Sequence, residues 1–499
     1  MIHKISQLVH RRYVLVILLA AHLGYAGTTR HYYIAAEPVV WDYTPSGSDL
    51  IHASEVPFPW HLQTTWNKER YVEYTDGSFT QRKPQPQWLG ILGPIIRAEV
   101  GDEVVVHFLN RTQRSHNIHP HGLRYDKNSE GAFYVPFGDG ARIPPGGHFE
   151  YHWFADQDSG PTSQEQSSVV WWYHPHVDEP DETNAGLLGP IIVTAPGKAR
   201  PDGSPKDVDR EFVTSYMIFD ETVHGVQQKM PPPEQLKPRL RHLIPEQGVF
   251  YTINGFAFGN LPGLVMTEGE TVRWYLLGMG DERDLHTPHW HGKTVRVSNR
   301  RTDVVELLPA SMVVAGMTAD NPGTWLFHCQ VADHMEGGMM ATFTIRHRPR
   351  PLPVEFLHGE FWNTPRKLQV EVRNISDKTI RDIRLHLDYL AASTQNLRGF
   401  AHEWSLGKPL GPGETATVDF QPYFEESGLV GYLEDESILA WAVHPAAIEY
   451  ADGTFWRPRE HGEGFALFWH QSDHPVLEAL PPLQPDTELP EELPQAEEQ

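Results

Sequence analysis

The sequence of 499 residues contains a single cysteine, Cys329. One cysteine cannot form an intrachain disulfide, which excludes a disulfide scaffold and a cysteine-rich zinc module. Basic residues are also scarce, because 41 Lys and Arg stand against 65 Asp and Glu and give a formal net charge of -24. A surface this acidic repels phosphate backbones, so we expect no nucleic acid partner and favour cations as ligands.

Long apolar runs are confined to the N-terminus. Lys4, Arg11 and Arg12 precede the apolar run Tyr13–Ala21, and Gly24-Tyr25-Ala26 offers a small-x-small cleavage site. This pattern predicts a signal peptide over residues 1–26, so we expect export to the periplasm or the extracellular space. The run is too short to span a bilayer comfortably, with an uncleaved anchor as the alternative. The two arginines leave the general and the twin-arginine export routes open.

Frequent turn residues and few helix-period stretches predict an all-β fold. The chain has 42 Pro and 41 Gly, while 39% of its residues are hydrophobic, which is enough for folded cores. The strand-turn-strand pattern of residues 98–108 returns at residues 267–275. We therefore predict two copies of one β-sandwich, over residues 27–197 and 208–348.

The C-terminal part of the chain carries no histidine motif of the kind described below. Alternating apolar residues separated by turn clusters predict a third, immunoglobulin-like sandwich over residues 353–480. Residues 481–499 are an acidic, proline-rich tail without the apolar anchors that a core needs, so we expect it to be disordered.

The 29 histidines are strongly clustered. The clusters are His119-Pro120-His121, His174-Pro175-His176, His286 with His289 and His291, and His328-Cys329 followed by His334 and Met339. Residues two apart on a strand project from the same face, so a His-x-His pair aims two imidazoles in one direction, which suits adjacent metal ions. Chance gives about 1.7 such pairs in a chain this rich in histidine. Three pairs together with the cysteine cluster favour metal binding over coincidence.

The cluster around Cys329 is the most specific of the four. Two imidazoles, one thiolate and a weak methionine are the ligands of a blue-copper site, whose properties depend on the thiolate. Cys329 and His334 lie on one loop that ends at Met339, and His286 comes from elsewhere in the chain. The alternative is a small buried thiol, the common fate of a free cysteine. The flanking histidines favour copper.

Three further segments resemble the multicopper oxidases, and within them the ceruloplasmin and hephaestin branch. The segments are Tyr32–Glu37 with Trp41-Asp42-Tyr43, Leu92–Glu99, and Asn184–Pro190. The resemblance covers about residues 31–347. It implies two cupredoxin-like Greek-key β-sandwiches, the second with the type 1 copper, ahead of the immunoglobulin-like sandwich.

The resemblance also implies a role for each metal-binding residue. A type 1 copper is held by His286, Cys329 and His334, with Met339 as axial ligand. A trinuclear cluster takes type 2 ligands His119 and His289 and type 3 ligands His121, His174, His176, His291 and His328. These sites hold about four coppers per chain.

One ligand position departs from the family pattern. Where the family has His-Cys-His, this chain has His328-Cys329-Gln330. A glutamine oxygen is a poorer copper ligand than imidazole, so we expect one type 3 copper to be weakly held or completed by water. His116 precedes His119, but the pattern does not assign it as a substitute.

The cluster also constrains the assembly. The first sandwich has trinuclear ligands but no cysteine, and the second has the type 1 site and the other trinuclear ligands. The cluster must therefore form between a first and a second domain, and the resemblance implies a homotrimer.

Three acids match the carboxylates that ferroxidases of this branch place beside the type 1 histidines. They are Glu246, Glu282 and Asp333. Hard oxygen ligands suit Fe(II) or Mn(II), whereas a solvated surface charge is the alternative for each acid. A histidine of the related iron site falls at Tyr251, which is a second departure from the family.

We therefore predict an exported multicopper oxidase that couples one-electron oxidation of a metal ion, Fe(II), to reduction of dioxygen to water. Its expected catalytic residues are Cys329, His328, Glu246, Glu282 and Asp333. A laccase-like phenol oxidase, a copper nitrite reductase and a copper-binding protein with oxidase activity impaired by Gln330 are the alternatives. Nitrite reductases carry the type 1 cysteine in the first domain, where this chain has the thiol-free segment 171–174.

Overall fold

A computed structural model of the chain describes residues 27–222 and 248–348, followed by 352–363, 366–391, 397–404, 408–419, 438–457, 466–469 and 476–478. The predicted signal peptide, Glu246 and the acidic tail lie outside the described residues. Within these ranges, none of the helices is long and apolar enough to cross a membrane. In the part of the chain that the structure describes, two short α-helices, α1 (Glu179–Ala185) and α2 (Ala332–Glu336), accompany the many strands, so the predicted all-β class is confirmed.

The first sandwich is formed by β1 (Thr29–Asp42), β2 (Ser48–Asp49), β3 (Ser54–Glu55), β4 (Thr65–Tyr74), β5 (Ile96–Glu99), β6 (Glu103–Asn110), β7 (His119–Pro120), β8 (Arg124–Tyr125), β9 (His148–Phe154), β10 (Ser168–His174) and β11 (Gly189–Thr194). Its two main sheets have the orders β4-β1-β6-β9-β8 and β5-β11-β10-β7. The pairs β1/β6 and β5/β11 are parallel. Apolar residues from the inner faces of both sheets form one buried core, because strand side chains alternate between core and solvent.

The second sandwich is formed by β12 (Arg210–Asp220), β13 (Val249–Ile253), β14 (Val265–Thr267), β15 (Thr271–Gly278), β16 (Pro288–Trp290), β17 (Val295–Val297), β18 (Arg300–Thr302), β19 (Met312–Thr318), β20 (Gly323–Cys329) and β21 (Met340–Arg346). Its sheets have the orders β13-β12-β15-β19-β17-β18 and β14-β21-β20-β16. The pairs β12/β15 and β14/β21 are parallel, as the corresponding pairs are in the first sandwich. The sequence repeat therefore corresponds to a repeated strand topology.

The two sandwiches share a further buried cluster of apolar residues. In it, the rings of Tyr43 and Phe250 stack with centroids 4.1 Å apart. Lys68 Nζ lies 2.5 Å from the Glu221 carboxylate, and burial lowers the pKa of Lys68 while this carboxylate opposes the change. Both sandwiches belong to one compact unit that ends at Arg346. Their relative position is therefore set by packed side chains and a buried ion pair.

A second compact unit begins at His347. Its strands are β22 (Val354–Asn363), β23 (Arg366–Asn374), β24 (Ile380–Ala391), β25 (Leu397–Trp404), β26 (Thr415–Asp419), β27 (Ile438–Tyr450), β28 (Phe455–Trp456), β29 (Ala466–Trp469) and β30 (Val476–Glu478). They form the sheets β26-β23-β22-β30 and β25-β24-β27-β28, and β29 pairs with β27. Val370, Val372 and Ile383 are fully buried, as the apolar alternation predicts. The immunoglobulin-like topology of this unit stays a prediction.

Candidate metal centres

Three side chains of the second sandwich converge on one point. Cys329 ends β20, His334 lies in the short helix α2, and His286 precedes β16. His286 Nδ1 lies 3.2 Å from His334 Nδ1, which is 3.6 Å from Cys329 Sγ, and all three residues are buried. Met339 is buried too, and its carbonyl accepts a hydrogen bond from the backbone N–H of Cys329 at 3.1 Å. His286, Cys329 and His334 thus form one buried group that could hold a metal ion, and a thiolate with two imidazoles suits copper.

The surroundings of Cys329 favour the thiolate. Burial raises the pKa of this thiol, but hydrogen bonds with His286 and His334 and with the backbone N–H groups of Thr287 and Val331 outweigh burial and bring the pKa to about 6. The Thr287 N–H lies 3.3 Å from the sulfur. The thiolate is the form that binds metals, so the site presents a soft anionic ligand between two imidazoles.

A further carboxylate, Asp284, lies beside this group and was not predicted from the sequence. This buried carboxylate lies 3.0 Å from His286 Nε2 and accepts a second hydrogen bond, of 2.8 Å, from the backbone N–H of Ile218. With Nε2 held as the donor, His286 presents the lone pair of Nδ1 to the metal position. The only sequence signal was its spacing, because Asp284 lies two residues before His286.

We expect Asp284→Ala to weaken copper retention at the Cys329 site by about 10- to 100-fold, because a carboxylate that orients a ligating imidazole contributes that much to metal affinity. The measurement is loss of blue absorbance during titration with a chelator. Asp49→Ala is the matched control, because Asp49 is also buried and bonds a histidine, His52, at 2.7 Å. Equal copper loss from both variants would mean that Asp284 acts only through stability.

A second group in the same sandwich contains His289, His291 and His328. His289 on β16 pairs with His328 on β20, and His291 directly follows β16. His291 Nε2 lies 3.0 Å from His328 Nε2. His289 Nδ1 and His328 Nδ1 lie 2.9 and 2.8 Å from the backbone carbonyls of Asp303 and Cys329. These carbonyls fix the tautomers and leave Nε2 free to bind a metal.

The first sandwich repeats this geometry. His119 on β7 pairs with His174 on β10, and His121 Nε2 lies 2.9 Å from His174 Nε2. The Nδ1 atoms of His119 and His174 lie 2.7 and 2.9 Å from the carbonyls of Glu130 and Pro175. Burial lowers the pKa of His121 to about 4 and that of His174 to about 3. Both rings are therefore neutral at pH 7, as metal ligands must be.

His176 completes the first-sandwich group. Its ring centroid lies 5.5 Å from that of His119 and 6.2 Å from that of His174. Its Nε2 also lies 3.4 Å from a carboxylate oxygen of Glu179. Across the described part of the chain, no ring contact or hydrogen bond joins the two histidine groups. Each group offers imidazoles for only part of the predicted trinuclear ligand set.

His116 does not belong to the metal-binding group. It is buried, with Nδ1 2.5 Å from a Glu182 oxygen and Nε2 3.1 Å from a Glu69 oxygen. Glu182 also accepts the backbone N–H groups of Val177 and Asp178, directly after His176. His116 therefore supports the loop that carries the predicted ligand His176, and its own ring nitrogens are both engaged by carboxylates.

Gln330 and two of the three predicted acids lie at the surface. Gln330 is exposed, and its backbone N–H donates to the carbonyl of Thr287 at 2.9 Å. Glu282 and Asp333 are also exposed, while Glu246 lies outside the described residues. The ring of Tyr251 lies 5.4 Å from that of His334, so the residue at the position of the related iron-site histidine is beside the cysteine site.

Comparisons with known proteins identify relatives of this chain. Residues 72–198 and 229–349 each match a sequence model described as multicopper oxidase. The chain is 36% identical over 347 residues to Ferroxidase HEPHL1 of Mus musculus, covering 65% of this chain and 30% of that protein. It is 35% identical to Hephaestin of Homo sapiens and 36% identical to Ceruloplasmin of Rattus norvegicus. These two matches cover 67% and 68% of this chain, respectively. The chain spans about a third of the length of these relatives.

Proposed function

Because this chain belongs to the multicopper oxidase family, in its ceruloplasmin- and hephaestin-like group, we propose that it is an exported oxidase with about four coppers per chain. When bound, copper would supply the one-electron chemistry that couples oxidation of four equivalents of a reductant to the four-electron, four-proton reduction of dioxygen to water. The buried group of His286, Cys329 and His334 carries this proposal, since a thiolate between two imidazoles suits a blue copper.

Adjacent residues provide the route for electrons. Cys329 and His328 share one peptide bond, so a short covalent path leads from the sulfur to the His291–His328 pair. His328 Nδ1 donates to the carbonyl of Cys329 at 2.8 Å, which closes a second, hydrogen-bonded link. We therefore assign electron transfer to Cys329 and His328, because they are adjacent in the chain and join the two metal positions.

The proposed assembly places each trinuclear cluster between two chains. The His119–His176 group would meet the His289–His328 group of a neighbouring copy, and a homotrimer closes such head-to-tail contacts. The absence of contact between the two groups within the described part of one chain supports this arrangement. It also makes the assembly testable by mixing variants.

Co-expression of a His121→Ala chain with a His291→Ala chain is expected to restore oxygen uptake that neither variant has alone. In a closed ring assembled by random mixing, about one quarter of the interfaces between chains combine an intact first-sandwich group with an intact second-sandwich group. The measurement is oxygen uptake of the purified mixed assembly. His121→Ala with His174→Ala is the control and must stay inactive, because both changes damage the same group. Failure of the first pair to recover would contradict a cluster shared between chains.

We propose Fe(II) as the reductant. Asp333 directly precedes the ligand His334, Glu282 lies four residues before His286, and both carboxylates are exposed to solvent. Oxygen ligands of this kind suit Fe(II), and Glu246 is the third expected acid. Ferroxidase HEPHL1 is among the relatives.

The substrate test compares oxygen uptake with Fe(II), Mn(II), Cu(I) and a phenol on fully metallated protein. We expect the highest kcat/KM with Fe(II), and we expect Asp333→Ala and Glu282→Ala to lower that value while leaving phenol oxidation unchanged. Phenol oxidation thus serves as an internal control for an intact copper centre. A phenol preference that survives both substitutions would indicate a laccase-like enzyme and contradict the iron proposal.

Gln330 favours one second candidate, a copper-binding protein with impaired oxidase activity. Its position lacks the imidazole of the family pattern, so one copper of the cluster would have one imidazole fewer. Copper content separates the two functions: about four per chain supports the oxidase, and one supports a carrier. Nitrite turnover by the same protein would instead support a nitrite reductase.

A further inference from the structure

A fourth group of histidines lies on the solvent face of the first sandwich. His31 on β1 and His107 on the adjacent β6 project from the sheet β4-β1-β6-β9-β8, whereas His119 and His174 belong to the opposite sheet. His31 Nδ1 lies 3.0 Å from His107 Nε2, and the two rings stack with centroids 5.3 Å apart. The group is therefore separate from the copper centres described above.

The short distance between the imidazole nitrogens of His31 and His107 resembles the distances within the proposed copper sites. Among the described residues, four such pairs lie within hydrogen-bonding distance. Three of them are the pairs His121–His174, His291–His328 and His286–His334 of the proposed copper sites. Two nitrogens bound to one metal ion at about 2.0–2.1 Å lie about 3 Å apart. The His31–His107 pair has the same spacing as the other three.

The surroundings of His107 prepare it to bind a metal. Glu150 lies with a carboxylate oxygen 2.9 Å from His107 Nδ1, so this nitrogen is the donor and Nε2 keeps its lone pair toward His31. The ring of Tyr33 stacks on the ring of His107, with centroids 4.6 Å apart.

Further charges on the same face are arranged around this pair. The second oxygen of Glu150 lies 2.9 Å from His152 Nε2, and Glu103 lies 3.0 Å from His152 Nδ1. Two carboxylates thus lie beside three histidines on neighbouring strands. Their negative charge attracts cations to this face of the sheet. The sheet hydrogen bonds hold the backbone of β1, β6 and β9 in register, so the side chains start from fixed positions.

We propose that His31 and His107 form an additional, solvent-accessible binding site for a divalent transition-metal ion of the Cu(II) or Zn(II) class. Imidazole nitrogens suit these ions, and water fills the remaining coordination positions. Glu150 acts as a positioning residue that orients His107. The site does not depend on the oxidase centres, because it uses none of their residues.

The test is isothermal titration of fully copper-loaded protein with Zn(II) and, separately, with Cu(II). Wild type is expected to bind one more equivalent than His31→Ala or His107→Ala. Glu150→Gln is expected to weaken binding by about 10-fold through the orientation of His107. The control is His52→Ala, which removes an exposed histidine paired with Asp49 and should leave the extra equivalent intact.

Blue absorbance and oxygen uptake are expected to be the same in all of these variants, which separates this site from the oxidase centres. Equal binding by wild type, His31→Ala and His107→Ala would overturn the proposal, and so would the same loss in His52→Ala. Loss of oxygen uptake in wild type would count against the oxidase and leave the titration result valid.

Discussion

His291→Ala is expected to abolish oxygen uptake while the protein stays blue. His291 Nε2 lies 3.0 Å from His328 Nε2 and contributes to the trinuclear group, whereas the blue copper is assigned to His286, Cys329 and His334. Removing this imidazole takes away one of the ligands of a copper in the cluster. We therefore expect the cluster to be unable to reduce dioxygen fully. The measurements are oxygen uptake with Fe(II) and the visible spectrum of the same copper-loaded sample.

His121→Ala, in the first sandwich, should also abolish oxygen uptake and leave the protein blue. His121 pairs with His174 at 2.9 Å and has no contact with the cysteine site among the described residues. His52→Ala is the control, since His52 is exposed and lies outside all of the metal groups. Loss of the blue colour in both His121→Ala and His291→Ala would mean that the division into two kinds of site is wrong.

Cys329→Ser is expected to remove both the colour and the oxygen uptake. Serine is close in size to cysteine, so the buried position stays filled, but its hydroxyl is not a soft anionic ligand at neutral pH. The His119 and His289 groups keep all of their imidazoles. We therefore expect copper content to fall by about one per chain, with oxygen uptake reduced to the level of a buffer control.

The visible spectrum, copper content and thermal unfolding of Cys329→Ser should be measured together. An unfolding curve close to that of wild type would show that the loss is local to the copper site. A variant that keeps its blue colour would place the chromophore elsewhere and would contradict the assignment of Cys329.

The sequence predicted which histidines lie close together because their proximity follows from strand geometry. His119 faces His174 across β7 and β10, and His289 faces His328 across β16 and β20, so short spacings along the chain become close contacts between strands. The cysteine group followed from residue chemistry, since few arrangements of Cys, His and Met serve another purpose. The repeat at residues 98–108 and 267–275 likewise corresponds to matching strands.

The supporting contacts could not be predicted from spacing. Asp284 binds His286 only because the loop before β16 folds back against β12, where Ile218 fixes the same carboxylate. The pairing of His116 with Glu182 joins residues that are far apart in sequence. The His31–His107 pair was also missed, because it depends on the parallel register of β1 and β6 and leaves no motif in the sequence.

Copper content and visible colour of the purified, copper-loaded protein test the central claim most directly. A soft thiolate centre and a cluster shared between chains predict about four coppers per chain and an intense blue absorbance that disappears on reduction with Fe(II) and returns in air. A colourless protein after ample copper loading would contradict the account, as would a blue protein that holds one copper per chain.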